Sequence, residues 1–293
     1  MPEGDTVWLA GKRMHDALAG RVLTVSDFRV PQLATADLTG RTVTEVVSRG
    51  KHLLTRISAG DGSTTGDELT LHTHFRMDGS WHLYRHGDRW HGGPEWQVRV
   101  LLENPEWQAV GYRLPVVELL ARDRESDAVG HLGPDLLGPD WDLPEAVRRI
   151  SADPDREIGQ ALLDQRNLAG IGNLYKTEVC FLTGLSPWTP VRDLTPESLI
   201  AVVERAHRLL EANKGGYVQV TTGDPRRGQW HWVFERTGKP CRRCRTPVAT
   251  AEQGAAPYAR LAYWCPRCQP GPAPSPTRPP RRDRTVGRTR YRP

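Results

Sequence analysis

The sequence predicts an α+β chain: an N-terminal helix joined to a β-sandwich, then a mostly helical domain closed by a cysteine module. Three patterns carry this. Short β-branched segments, separated by Gly, Asp, Asn and Pro clusters, follow one another up to about residue 125. Helical periodicity takes over from PEAVRRIS onward. Four of the five cysteines then fall into two C-x-x-C pairs, a metal pattern and not a disulfide framework. At 293 residues the chain has room for two cores and a small accessory module.

The opening MPEGDTVWLA combines structure breakers at Pro2 and Gly4 with Asp5 or Thr6 as possible helix caps. Apolar residues then recur at Val7, Ala10, Met14, Ala17 and Leu18, and Gly20 ends the helix. The expected strands are RVLTVSDFRV, RTVTEVVSRGKHLLTRI, ELTLHTHFRM, SWHLYR, WQVRVLLE and EWQAVGYRL. Together they give a domain over residues 1–125. HLGPDLLGPDWD, dense in turn residues, is the expected linker, residues 126–142. Helices are expected in PEAVRRIS, REIGQALLDQ, NLYKTEVCFL and TPESLIAVVERAHRLLEANKGG, the last starting at Thr195-Pro196. They fill residues 143–235, with the cysteine module at 236–269. The Pro- and Arg-rich tail, 270–293, has no apolar run to bury and is expected to be disordered.

Cys241-x2-Cys244-x20-Cys265-x2-Cys268 places two thiolate knuckles at zinc-ribbon separation. Four thiolates close a tetrahedron, so one structural Zn²⁺ is expected. Cys180, alone on a helix, reads as a core thiol. His52, His72 and His74 lack the spacing of a catalytic metal site.

Charge is divided unevenly. Residues 205–293 carry 19 Lys and Arg against 5 Asp and Glu, whereas residues 1–204 carry 21 against 30. A basic region that coincides with the cysteines is the footprint of nucleic acid. No apolar run approaches a membrane span and no signal peptide is evident, so a soluble intracellular protein without a membrane partner is expected. The turn LAGIGN places Gly170 and Gly172 before a helix beginning at Asn173, where free backbone N–H groups can hold a phosphate, and tight packing between two helices explains the two glycines equally well.

MPEG, RGKHLL, HFRMDG, LGPDLL, LAGIGNLYKTEV and the zinc module with Arg260 occur in the order found in the Fpg/Nei DNA glycosylases. The chain resembles that family over residues 1–268. The resemblance implies a helix-two-turn-helix domain beside the sandwich, and DNA in the cleft between them. It also implies a base-excision-repair enzyme that is both glycosylase and AP lyase. Pro2, freed of Met1, would be the nucleophile, Glu3 the acid/base and Lys51 a catalytic lysine at a strand end. Asn173 and Arg260 would grip the phosphates flanking the lesion. Met77, with Arg76, would fill the gap left in the stack. Thr6 departs from the pattern, since many members carry a second glutamate there. MPEG, and HWVFERTGKPC leading into the finger, look more like Nei (endonuclease VIII) and point to oxidised pyrimidines. The expected partner is damaged double-stranded DNA, with single-stranded or bubble DNA as further forms. A monomer in the bacterial cytoplasm, associated with the nucleoid, is expected. The competing readings are a non-catalytic zinc-ribbon DNA-binding protein and an RNA-binding zinc protein.

Overall fold

In the computed structural model, which describes residues 2–58, 68–256 and 259–274, alternation along the strands turns directly into two packed sheets. Met1 and residues 275–293, which include most of the expected disordered tail, lie outside the described residues. The first helix, α1 (Gly4–Leu18), buries Val7, Met14, Ala17 and Leu18 on one face, each worth about 1.5–3 kcal/mol if fully removed from water. It starts one residue before the expected caps. Glu3 holds the cap position, and no side chain caps the helix.

RVLTVSDFRV is divided between the sheets. β1 (Arg21–Val22) joins one and β2 (Val25–Phe28) the other. The remaining strands are β3 (Thr42–Arg49), β4 (His52–Ile57), β5 (Leu69–His74), β6 (Ser80–Arg85), β7 (Val98–Glu103), β8 (Trp107–Tyr112) and β9 (Val116–Ala121). One sheet runs β1-β3-β4-β5-β9 and the other β2-β7-β8-β6, antiparallel throughout. Leu53, Leu71 and Val117 of the first meet Val100, Leu102 and Ala109 of the second in one core with α1. The alternate residues of β4, β5 and β9 consequently point away from that core.

A short helix, α2 (Glu125–Val129), which periodicity does not reveal, leads into the connector. Beyond it come α3 (Leu143–Ser151), α4 (Ile158–Leu163), α5 (Asn173–Leu182) and α6 (Pro196–Asn213). α3 starts with Asp142 accepting from Glu145 N, and α6 with Thr195 accepting from Ser198 N, as their sequences require. Their apolar faces share a second core that includes Cys180. The segment after α6 is gathered by Glu178 of α5, whose buried carboxylate accepts the N–H groups of Trp232, Val233 and Phe234 and the Thr221 hydroxyl. The chain ends in a hairpin of β10 (Ala249–Gln253) and β11 (Arg260–Trp264) between the cysteine pairs. Among the described residues no helix is long and apolar enough to cross a membrane.

Candidate active site and nucleic-acid interface

The two domains meet at the start of α1. Glu3 is fully buried there, and its carboxylate accepts Gly172 N at 2.6 Å, Leu174 N at 2.8 Å and Tyr175 N at 3.4 Å. These are the orphan donors of the first turn of α5. The sequence leaves them for a phosphate, and the structure corrects this: the anion at that helix start is Glu3, some 169 residues away. Only a glycine fits at 172, because an added Cβ would lie 2.5 Å from Glu3 Cδ. Gly4 N donates to Gly170 O at 2.8 Å, and Gly170 holds a left-handed φ of +99°.

Burial pushes the Glu3 carboxyl up to about 7 and outweighs the opposing pull of the Lys51 cation and of the Leu174 and Gly172 N–H groups. Near neutral pH it therefore exists in both protonation states. Asp5, which the sequence offers only as a cap, is also buried. It accepts Tyr175 Oη–H at 2.6 Å and Gln219 Nε2–H at 2.9 Å, and burial again raises its pKa.

Pro2 and Glu3 line an open cleft of about 610 Å³ together with Lys51, Arg76, Met77, Asn173 and Arg260. All seven non-cysteine residues singled out in the sequence are thus brought to one cavity. Lys51 sits in the turn between β3 and β4, after Gly50 at φ +58°. That turn is tethered across the domains, since Gly50 N donates to Asp135 Oδ2 at 2.7 Å. Asp135 comes from LGPDLL and is itself buried. Arg49 adds an ion pair to Asp140 at 2.9 Å. Burial lowers the Lys51 pKa; Glu3 opposes this and Arg260 adds to it.

Arg76 and Met77 occupy the turn between β5 and β6. Met77 is 61% exposed and Arg76 adopts φ +46°, a left-handed conformation that costs on the order of 1 kcal/mol for a non-glycine residue. Opposite them, Asn173 Nδ2 donates to Leu261 O at 2.9 Å and ties α5 to the hairpin, while its Oδ1 is buried with no partner. Arg260, the first residue of β11, is exposed on the cleft rim. Pro2 also lines a second cavity of about 240 Å³ with Thr6, Arg13, Phe75, Trp81 and Tyr217. Thr6 therefore faces this cavity beside Pro2.

Cys241, Cys244, Cys265 and Cys268 bring their Sγ atoms within 4.8 Å of one another. The Cys241–Cys268 and Cys244–Cys265 separations, 3.9 and 3.4 Å, match the roughly 3.8 Å between thiolates tetrahedrally bound about 2.3 Å from Zn²⁺. Arg243 N donates to Cys241 Sγ at 3.4 Å. The cluster can hold a metal ion.

The residues that sequence reasoning missed are those acting between domains: Asp5, Tyr175, Gln219 and Asp135. Asp135 in LGPDLL, Tyr175 in LAGIGNLYKTEV and Asp5 at the start of α1 lie in stretches the sequence singles out, but their contacts across the domains have no local signal.

A β-sandwich whose first helix closes on a glycine turn, with a four-cysteine hairpin across the cleft, defines a DNA glycosylase architecture. Two family models match the chain: the formamidopyrimidine-DNA glycosylase N-terminal domain over residues 1–113, and the formamidopyrimidine-DNA glycosylase H2TH domain over residues 132–220. The chain belongs to this family. Within it, the chain is 57% identical to the probable endonuclease 8 2 of Streptomyces coelicolor, covering 94% of this chain and 96% of that protein. It is 44% identical to the DNA-(apurinic or apyrimidinic site) lyase Nei2 of Mycolicibacterium smegmatis, covering 92% and 99%. The fold is that of Lactococcus lactis Fpg solved with abasic-site DNA, with TM-score 0.73, 22% identity, and coverage of 92% of this chain and 100% of that one.

Proposed function

We propose that this chain is a bifunctional DNA glycosylase and AP lyase of base excision repair, in which Pro2, freed of Met1, supplies the nucleophile. An α-amino group has a reference pKa near 8, so part of it is unprotonated at neutral pH. Its attack on C1′ breaks the N-glycosyl bond and the damaged base leaves. The attached nitrogen loses its proton, C1′–O4′ opens as O4′ is protonated, and because the amine is secondary the ring-opened adduct is an iminium that acidifies C2′, so that β- then δ-elimination cuts the strand. Glu3, with a pKa near 7, gives and takes protons at the sugar. Lys51 offers an amine in the cleft whose pKa burial lowers. Asn173 and Arg260 hold flanking phosphates on one side of the cleft. Arg76 and Met77 enter the stack from the other, and the cavity beside Thr6 receives the extruded base. Zinc bound by the four cysteines would be structural, because four thiolates leave no open position.

The observation that carries this reading is the convergence of Pro2, a buried Glu3 and Lys51 in one cleft rimmed by Arg260. The Nei-like MPEG and HWVFERTGKPC stretches point to oxidised pyrimidines as the lesions. The partner is damaged double-stranded DNA, with single-stranded or bubble DNA as further forms. The protein acts as a monomer in the bacterial cytoplasm, at the nucleoid.

Borohydride trapping on DNA with an abasic site tests the mechanism. A covalent adduct is expected with the native N-terminus, and Pro2→Gly or residues added before Pro2 should reduce it at least about 100-fold. Trapping that survives both changes, or Met1 retained by intact-mass measurement, overturns the role of Pro2. Salt-sensitive binding with no adduct would instead mark a non-catalytic DNA-binding protein.

A further inference from the structure

Behind Lys51 lies a hydrogen-bonded chain that the proposed reaction has not used. His52 on β4 pairs in register with His74 on β5, and His72 on β5 with Glu118 on β9. All four side chains lie on the sheet face opposite the core that holds Leu53, Leu71 and Val117. His72 Nδ1 is 2.8 Å from Glu118 Oε2, and His72 Nε2 is 2.8 Å from His52 Nδ1. A carboxylate only accepts, so it fixes the hydrogen of His72 on Nδ1. The neutral ring then presents a bare Nε2, which accepts His52 Nδ1–H. This leaves His52 Nε2 as the bare nitrogen at the end of the chain remote from Glu118. His52 meets His74 edge to face at 4.7 Å, and His74 lines the cleft with Lys51. His74 Nδ1 accepts Arg76 N at 2.9 Å. His131 stands 6.2 Å away across the connector. The Glu118 side chain is 54% exposed and that of His72 only 5%.

We propose that His52, His72 and Glu118 form a proton-accepting chain that serves the cleft while DNA closes it to solvent. The proposal rests on the lyase reading above. β-Elimination breaks C2′–H and C3′–O: the C–H electrons form C1′=C2′ as the iminium π pair moves onto the Pro2 nitrogen, and that nitrogen pair then restores the iminium, C1′=C2′ shifts to C2′=C3′, and the C3′–O pair leaves with the phosphate. The released proton needs an acceptor. It passes, by way of the Lys51 amine, to His52 Nε2. His52 Nδ1–H moves to His72 Nε2, and His72 Nδ1–H moves to Glu118. Both rings end neutral in the opposite tautomer and the carboxylate is neutralised. After DNA leaves, the shifts run backward and return the proton to water in the cleft.

Glu118→Gln tests the chain, because an amide oxygen still accepts His72 Nδ1–H but takes up no proton. His52→Asn is the second variant, since its amide N–H still donates to His72. Both should lower kcat for cleavage of abasic-site duplex about 10-fold, a modest fraction of a general-base effect. The Kd for DNA should be unchanged, and the solvent isotope effect on cleavage should fall. Wild-type kcat in either variant overturns the proposal. So does a loss of kcat matched by weaker DNA binding, which would mark a structural role. Wild-type protein that binds abasic-site DNA without cutting it overturns the lyase reading itself, and the chain with it.

Discussion

At the scale of single residues, the site depends on where Glu3 spends its charge. A carboxyl whose folded pKa is about 7 against an ordinary 4.5 is bound more tightly to its proton in the folded state. Folded stability from this group is full below about pH 4.5 and is lost as pH rises toward 7, by on the order of 3 kcal/mol. Urea midpoints measured from pH 4.5 to 8 should fall over that window in the wild type and run flatter in Glu3→Gln. The same substitution removes the proton donor, so base release should slow at least about 100-fold, measured in single turnover. In the wild type a limb of the pH–rate profile near 7 is expected, with the protonated form active in base departure and the rate declining above it. MPEG marks Glu3 as a candidate acid/base only through the resemblance. Its burial was not legible, because the groups that surround it lie 169 to 172 positions away.

Among elements, the turn between α4 and α5 shows how a local pattern can be right about geometry and wrong about its partner. Gly170 and Gly172 do build a helix start with free donors, as LAGIGN indicates, and the chain's own carboxylate takes them. Gly172→Ala should therefore destabilise the protein by about 1–3 kcal/mol through forced overpacking against Glu3. Base release should fall with it, and thermal melting together with cleavage assays reads both. The longer helices were legible because their periods match their burial, as in α6 with its Thr195 cap. By contrast, β9, β10, β11 and α2 are not among the expected strands and helices, and RTVTEVVSRGKHLLTRI divides at Gly50 into β3 and β4. RVLTVSDFRV failed as one strand because its halves pair with β3 and β7 in different sheets, and local alternation carries no information about the partner strand. The link between Asp135 and the Gly50 turn was hidden for the same reason. Asp135→Asn keeps one acceptor for Gly50 N but sets an N–H against that of Leu137, so a loss of about 1–3 kcal/mol is expected in urea denaturation.

For the molecule as a whole, the proposed DNA binding turns on the cysteine hairpin and the charge asymmetry. Chelation should release about one zinc per chain, lower the melting temperature and weaken DNA binding at least about 10-fold, because Arg260 and the Asn173 contact at Leu261 both depend on that hairpin. Metal analysis and fluorescence anisotropy check this. Deleting residues 270–293 removes seven arginines and should reduce the slope of log K against log salt by up to about 6. An unchanged slope would show that the tail stays off the DNA. Among the ties that cross between the domains are those of Glu3 with α5, Gly50 with Asp135, and Gly4 with Gly170. In a DNA complex they would act as a fixed gauge that sets the jaws, so that bending energy falls on the duplex rather than on the protein. Sound base pairs resist that load and a weakened one yields, so a rigid cleft can sort DNA by stiffness before any side chain has touched a base.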